Sequence, residues 1–285
     1  MIEISGLTKT FQKHKVLDDV KLSIRACERI ALIGQNGAGK TTLIRCLMGQ
    51  YRYEGKVEAW NQEPQKNREA LLQKIGFVPQ HPPPLPMNVG ELVQFSASIC
   101  TQTTLERIYQ VADELGLDLR QHLGKPFMKL SGGMKQKLLI ALALAKNPEL
   151  LIMDEPAANL DPQGRKAFFL RLAQIPRETT MMLSSHRVDE LLSLVNRVIE
   201  MDCGRIVLDE PLGGKNSSVH LLKCRMVMTD RNDFIQKIIN EWKFEETQPL
   251  VFEGNIVAVD RMRFLNAVSQ FAGHIHQLTM AQEEL

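Results

Sequence analysis

Short apolar runs alternate with helical repeats along the first two thirds of the chain. Val20, Leu22 and Ile24 alternate with polar residues, which predicts a strand with one buried face. Nearly continuous apolar runs predict strands buried on both sides, as in a parallel sheet; these are residues 29–33, 150–153 and 180–183. Helical spacing covers residues 41–48, 131–145, 162–173 and 188–195. Strands that alternate with helices predict a layered α/β fold.

The pattern changes at residues 213–218, where glycine, asparagine and serine predict a linker. Beyond it, Leu222, Cys224, Met226 and Met228 predict a strand. The following pattern predicts a helix, two strands, a helix and a closing strand, at residues 234–242, 250–252, 255–259, 264–271 and 274–278. This order is typical of a ferredoxin-like module. We therefore expect one domain over residues 1–212 and a small α+β, ferredoxin-like domain over residues 217–285.

A glycine-rich turn connects the strand at 29–33 to the helix at 41–48 and matches the phosphate-binding pattern G-x-x-x-x-G-K-[ST]. It reads Gly34, Gln35, Asn36, Gly37, Ala38, Gly39, Lys40 and Thr41, followed by Thr42. The glycines allow backbone N–H groups to approach phosphate oxygens, next to the positive end of the helix. Lys40 supplies a charge for the β- and γ-phosphates, and the Thr41 hydroxyl is a ligand for Mg²⁺. The chain is thus predicted to bind a nucleoside triphosphate.

Two carboxylates follow the apolar strand at residues 150–153. Asp154, at the carboxyl end of a buried strand, is placed to hold a metal ion beside the nucleotide. Glu155 is a candidate general base that polarises an attacking water. Alone, an Asp-Glu turn is a weak signal, but combined with the phosphate loop it indicates a hydrolytic site.

Leu130-Ser131-Gly132-Gly133-Met134-Lys135-Gln136 resembles the signature motif of the ATP-binding cassette (ABC) ATPases. Ser131 is a predicted helix cap, and Gly132 and Gly133 leave backbone N–H groups open to a second anion. The resemblance implies a P-loop NTPase core with antiparallel β and helical subdomains. It also implies a head-to-tail homodimer, in which the signature of one copy closes on the ATP and Mg²⁺ held by the other.

The remaining motifs of the family follow in order over about residues 1–212. By this resemblance Phe11 stacks on adenine, Gln80 senses Mg²⁺ and links to a membrane partner, Asp161 belongs to the D-loop, and His186 is the switch histidine at the γ-phosphate. The D-loop departs from the family at Ala157 and Ala158, where small hydroxyl residues are usual. The departure puts tight coupling between the two sites in doubt.

The amino-acid composition helps to define what kind of partner the chain binds. With 35 Lys+Arg against 33 Asp+Glu, the charge is too balanced to indicate nucleic-acid binding. No apolar run reaches the roughly 18 residues of a membrane helix, and the amino terminus lacks the features of a secretory signal. The resemblance then implies a cytoplasmic ATPase subunit, peripheral on the inner (plasma) membrane. It would dock on a separate, export-type (ABC-2-like) transmembrane permease through residues 82–87 and 90–99.

Two other functions compete with this interpretation. A soluble ABC ATPase acting on ribosomes or DNA usually has two cassettes or a long coiled coil, and this sequence shows one cassette. A phosphate-loop kinase or GTPase leaves the motif at Ser131 and the histidine at His186 unexplained. In the small domain, His274 and His276 are spaced to share one face of a strand, but two imidazoles do not complete a metal site. That domain is interpreted as an accessory or dimerisation element.

Overall fold

The computed structural model describes residues 1–100, 103–185, 191–212, 221–230, 242–257, 264–265, 267–268 and 272–282. Contacts divide the chain into a larger unit, Met1–Glu210, and a smaller unit, Pro211–Leu285. The predicted linker at 213–218 and the predicted helix at 234–242, apart from Trp242, lie outside the described residues.

Strands and helices alternate in the larger unit. Its described strands are β1 (Ile2–Phe11), β2 (His14–Ile24), β3 (Arg29–Ile33), β4 (Glu54–Ala59), β5 (Ile75–Val78), β6 (Leu150–Asp154), β7 (Thr180–Ser185), β8 (Arg197–Asp202) and β9 (Arg205–Pro211). Its described helices are α1 (Lys40–Leu47), α2 (Arg68–Lys74), α3 (Val89–Ile99), α4 (Leu105–Glu114), α5 (Gly132–Ala145) and α6 (Pro162–Ala173). None of the helices in this described part combines the length and apolarity needed to cross a bilayer.

The main sheet has the order β5-β6-β7-β3-β8-β9 within the described residues. Neighbouring strands from β5 to β8 are parallel. In β6, every residue is buried, as expected for a strand covered on both faces. The carboxyl ends of β3, β6 and β7 therefore meet at one edge, where ligands bind in open α/β sheets.

A second sheet, of order β2-β1-β4, is antiparallel. Alternate residues of β2, among them Val20, Leu22 and Ile24, are buried and join the same core as Leu43 and Ile44 of α1. The sequence pattern predicted the end of β2 but not β1. This sheet packs against the element that follows the phosphate loop.

The β8–β9 hairpin closes the larger unit against the phosphate loop. Its two turn residues, Cys203 and Gly204, have φ of 45° and 78°, as a type I′ turn requires. The N–H of Gly204 donates to the carbonyl of Ala38 over 3.0 Å. A Cβ atom at Gly204 would lie 2.3 Å from the carbonyl oxygen of Val16. The backbone of the turn therefore lies close to the phosphate loop at Ala38 and to β2 at Val16.

The smaller unit contains β10 (Leu221–Met228), β11 (Glu245–Gln248), β12 (Val251–Val257) and β13 (Ile275–Gln282), in the order β11-β12-β10-β13. Each of these neighbouring pairs is antiparallel. Cys224, Met226, Phe244, Phe252 and Phe264 form its buried core. The prediction of separate strands at 250–252 and 255–259 was wrong, because β12 runs without a break from Val251 to Val257. The other strand is the exposed Glu245–Gln248, which has no apolar alternation to reveal it.

Two further predictions are corrected. Residues 191–194 form a turn rather than the end of a helix at 188–195. The chain must turn there because Asn196 pairs with Arg29, its N–H donating to the Arg29 carbonyl. His274 precedes β13 in a 3₁₀ turn, and its Nδ1 lies 3.0 Å from Asp230. Among the described residues, no cluster of three potential metal ligands includes His274 or His276.

Candidate functional site

A cavity of about 290 Å³ lies where β3 and β6 end. Every residue of the predicted phosphate loop from Gln35 to Thr42 lines it, together with Val16, Gln80, Asp154 and Glu155. The fold thus brings together the phosphate loop, the acidic strand end and the glutamine after β5. A larger hollow of about 630 Å³ is lined by Met1, Trp60, Glu149 and others, and contains none of these motifs.

The glycines of the loop meet two different constraints. Gly34 has φ of 147°, and a Cβ atom there would lie 2.3 Å from the carbonyl oxygen of Met201 in β8. Gly39, with φ of 105°, is similarly crowded by Leu17. Gly37 also has a positive φ, of 87°, yet nothing lies within 4 Å of its added Cβ. Gly34 and Gly39 are therefore required by packing, whereas Gly37 leaves the backbone open on its free side.

Lys40 begins α1 and is only 7% exposed. Its Nζ donates to the carbonyls of Gly34, over 2.6 Å, and Gln35, over 3.2 Å. Burial lowers the pKa of the Lys40 ammonium, and the carboxylates of Glu155 and Asp154 act in the opposite direction. A buried cation needs compensating negative charge, and phosphate oxygens in the cavity would provide it.

Asp154 is 2% exposed and accepts two short hydrogen bonds. Thr41 Oγ1 donates to its Oδ2 over 2.6 Å, and Ser184 Oγ donates to its Oδ1 over 2.6 Å. A carboxylate and a hydroxyl in contact, from two residues that line the cavity, form the hard oxygen donor set that Mg²⁺ prefers. These residues therefore fit a magnesium ion.

Glu155 is 6% exposed and has a φ of 47°, an uncommon backbone conformation for a non-glycine residue. Its N–H donates to Ser184 Oγ over 2.9 Å. Its carbonyl accepts from the N–H of Ala158 over 3.2 Å. The chain therefore turns sharply at Glu155, directly after β6, and this turn leaves the residue lining the cavity.

Gln80 is half-buried and also lines the cavity. Two side chains approach the backbone around it at the long end of hydrogen-bond distance. Asn159 Nδ2 lies 3.4 Å from the Gln80 carbonyl, and Nε2 of the fully buried Gln136 lies 3.5 Å from the Pro79 carbonyl. The segment bearing Gln80 thus contacts both the D-loop and the helix that follows the signature motif.

The remaining predicted site residues that the structure describes lie outside the lining of the cavity. Ser131 caps α5 by accepting from the N–H of Met134, and Asp161 caps α6 by accepting from the N–H of Gly164. Neither they nor Gly132 and Gly133 belong to the described residues that line the cavity.

Phe11 does not line the cavity either. It is 38% exposed, packs edge-on against Tyr51, and has the Lys9 ammonium 4.6 Å from its ring centre. His186 lies outside the described residues.

Three residues with a part in this site were missed from the sequence. Ser184 carried a usable signal, since it directly follows the apolar run 181–183 and a buried serine needs a hydrogen-bond partner. Gly204 belongs to a short turn whose role depends on contact with Ala38, which is distant in sequence. Val16 lines the cavity but carries no local signal that distinguishes it from other strand residues.

Comparison with known proteins identifies the family of this chain. The ABC transporter family matches residues 17–158. The phosphonates import ATP-binding protein PhnC 1 of Cupriavidus metallidurans is 32% identical over 232 residues, which cover 74% of this chain and 82% of that protein. The bacitracin transport ATP-binding protein BcrA of Bacillus licheniformis is 33% identical over 216 residues, which cover 74% of this chain and 70% of that protein.

Among solved structures, a dimeric bacterial ABC transporter cassette matches with a TM-score of 0.65 and 25% identity, over 75% of this chain and 100% of that one. The matched span, residues 17–158, includes the phosphate loop, the segment at Gln80 and the acidic strand end. The chain belongs to the ABC transporter family, among its ATP-binding ATPase subunits.

Proposed function

We propose that two copies of this chain associate head-to-tail and hydrolyse ATP in sites composed of the phosphate loop of one copy and the signature segment of the other. The proposal rests mainly on the surroundings of Gly132. This residue is exposed at the start of α5, and no atom lies within 4 Å of a Cβ atom added to it. The fold of the single chain does not require glycine there, so a bare backbone serves an approaching ligand. The similarity to a dimeric cassette supports this arrangement.

Within each composite site, Lys40 and the loop N–H groups hold the phosphates. Thr41, Asp154 and Gln80 would hold Mg²⁺, which when bound polarises the phosphoryl oxygens and offsets their charge. Glu155 accepts the proton of the attacking water. The contacts of Phe11 with adenine and of His186 with the terminal phosphate are carried over from the family resemblance, as is the place of Asp161 at the dimer interface.

A mixing experiment tests the composite sites. Lys40→Ala disables the phosphate loop, and Gly132→Val blocks the signature segment, so each variant alone is expected to be inactive. A head-to-tail dimer of the two contains one intact site and one doubly damaged site. We therefore expect ATP hydrolysis to reappear on mixing and to follow the calculated share of mixed dimers.

Two copies of the same variant, differently tagged, provide the control and are expected to stay inactive. If light scattering showed that mixed dimers form with ATP but the mixture still did not hydrolyse ATP, the proposal of composite sites would be contradicted. Circular dichroism spectra identical to that of the parent chain would show that both variants are folded.

The exposed apolar face of α3 supports a membrane partner. Phe95 is 53% exposed and Ile99, one turn later, is 49% exposed. Side chains four residues apart lie on one helix face, and exposed aromatic residues often anchor protein interfaces. We propose that residues 82–87 and 90–99 dock on a separate transmembrane permease, which keeps the chain at the cytoplasmic face of the membrane.

The direction of transport is a separate proposal. We propose an export-type (ABC-2-like) permease as the partner. Of the two relatives compared above, one is an import protein and the other a bacitracin transport protein. Both names favour transport over an action on ribosomes or DNA, and neither points to nucleic acid as a partner.

Phe95→Glu tests the docking face. We expect the co-purified permease to fall by about tenfold or more, because a central aromatic anchor is replaced by a charge, while ATP binding is unchanged. Leu170→Glu is the matched control, since Leu170 is 58% exposed on α6. Docking through α3 would be contradicted if both variants lost the co-purified permease equally, or if neither lost it.

For the smaller unit we propose a ferredoxin-like module with an accessory or dimerisation role. Its support is the antiparallel strand order β11-β12-β10-β13, which places the first and third strands of the unit together in the middle. The helices that such a module needs between its first and second strands and between its third and fourth correspond largely to residues outside the described part of the chain.

A further inference from the structure

Ser184 is a polar residue in β7, a strand that is buried from Thr180 to Ser184. Its neighbours Met181, Met182 and Leu183 are at most 1% exposed, and Ser184 itself is 0% exposed. A hydroxyl placed there loses its hydrogen bonds to water and must replace them within the protein. Its position in β7 is therefore informative about what it contacts.

Both contacts of this hydroxyl reach the acidic end of β6. Its hydrogen is donated to Asp154 Oδ1 over 2.6 Å, and its oxygen accepts from the N–H of Glu155 over 2.9 Å. A hydroxyl carries a single hydrogen, so that hydrogen is committed to Asp154. The register of the sheet makes this possible, because Asp154 and Ser184 are paired residues of parallel strands.

The two bonds have different consequences. With Oδ1 engaged by Ser184, Oδ2 is the carboxylate oxygen that faces Thr41, and the carboxylate cannot rotate without breaking a short bond. The bond to the Glu155 N–H supports the backbone turn whose φ is 47°, a conformation that costs energy unless the surroundings hold it. One side chain thus orients both residues of the acidic strand end.

We propose that Ser184 is a positioning residue for Mg²⁺: it selects the Asp154 oxygen that is offered to the metal and holds the Glu155 backbone in place. The inference rests on the proposed function, since it assumes that Thr41 and Asp154 hold Mg²⁺ beside a bound nucleotide. Partners of metal-binding carboxylates typically contribute about 10–100-fold to metal affinity.

The test is a binding measurement with Mn²⁺ and ADP on the full chain. Mn²⁺ is detected by electron paramagnetic resonance, and ADP affinity is measured separately in EDTA by calorimetry. We expect Ser184→Ala to weaken Mn²⁺ binding by about 10–100-fold, with ADP affinity in EDTA unchanged. Ser184→Thr, which keeps the hydroxyl, is expected to restore most of the Mn²⁺ affinity.

Thr180→Val is the matched control, because Thr180 is 1% exposed at the other end of β7 and its hydroxyl accepts from the N–H of Cys27 over 2.9 Å. Loss of a buried hydroxyl is expected to lower Tm by about 2–4 °C in either variant, but only Ser184→Ala should change Mn²⁺ binding. If Ser184→Ala does not fold, Ser184→Cys, with its weaker donor, is expected to give an intermediate loss.

The outcomes separate the two proposals. Parent-like Mn²⁺ binding in Ser184→Ala, or in Ser184→Cys where only that variant folds, would overturn the role of Ser184 and leave the magnesium site intact. An equal loss of Mn²⁺ affinity in Thr180→Val would also overturn it, since the effect would then be one of stability. A parent chain that bound ADP but no Mn²⁺ would overturn the magnesium site together with this inference.

Discussion

Replacing Glu155 by glutamine is expected to slow ATP hydrolysis by about 10²–10⁴-fold, the range contributed by a general base. Binding of ATP is expected to persist, because Glu155→Gln leaves Lys40, the loop backbone and Asp154 in place. The amide keeps the size of the carboxylate but cannot accept the proton of the attacking water. ATP should then accumulate in the composite sites and hold two copies together.

Phosphate release and gel filtration with ATP measure the two effects. Glu69→Gln, at an exposed position in the first turn of α2, is the control for a glutamine substitution and should match the parent in both. Phosphate release at the parent rate in Glu155→Gln would show that another group accepts the proton.

Lys40→Ala should act at an earlier step and weaken ATP binding itself. A hydrogen bond from a charged donor is worth about 1.5–3 kcal/mol, so one such bond to phosphate corresponds to roughly a 10–100-fold weaker affinity for ATP. Calorimetric titration checks this, with Lys21→Ala as the control because Lys21 is exposed. If Lys40→Ala bound ATP as tightly as the parent chain, the assignment of the phosphate loop to ATP binding would be contradicted.

The same lysine predicts how binding depends on pH. Burial lowers the pKa of Lys40 in the nucleotide-free chain, and bound phosphates would raise it. Binding therefore takes up a proton when the pH lies between these two pKa values, and ATP affinity should fall as the pH rises through the lower one. Lys40→Arg should lack this fall, because a guanidinium stays charged; an identical pH profile in both chains would contradict the assignment to Lys40.

The parts of this site that depend on neighbouring residues in the sequence were predictable. The phosphate loop needs a strand before it, a helix after it and glycines between, and all of these are encoded within a short segment. Asp154 was predictable because it directly follows an apolar run, and the carboxyl ends of buried parallel strands face the bound ligand. The apolar runs at β3, β6 and β7 likewise indicated a parallel sheet, since only strands covered on both faces tolerate them.

Other features depend on contacts that a local pattern does not contain. The exposed strand β11 is held by pairing with β12 rather than by burial of its own side chains. The turn at 191–194 is set by Asn196 bonding to Arg29, which is far away in sequence. The link between Ser184 and Asp154 exists only once β6 and β7 are in register, although the serine itself was visible in the sequence.

The phosphate loop follows a strand near the start of the chain, yet the contacts that shape it are encoded much later. β3 is flanked by β7 and β8, with Ile30 paired to both Met182 and Arg197, and Gly204 bonds to Ala38. Contacts of such high sequence separation form slowly, because a long loop must close before they stabilise anything. During synthesis, the nucleotide pocket of a nascent chain is therefore finished only after the β8–β9 hairpin has left the ribosome.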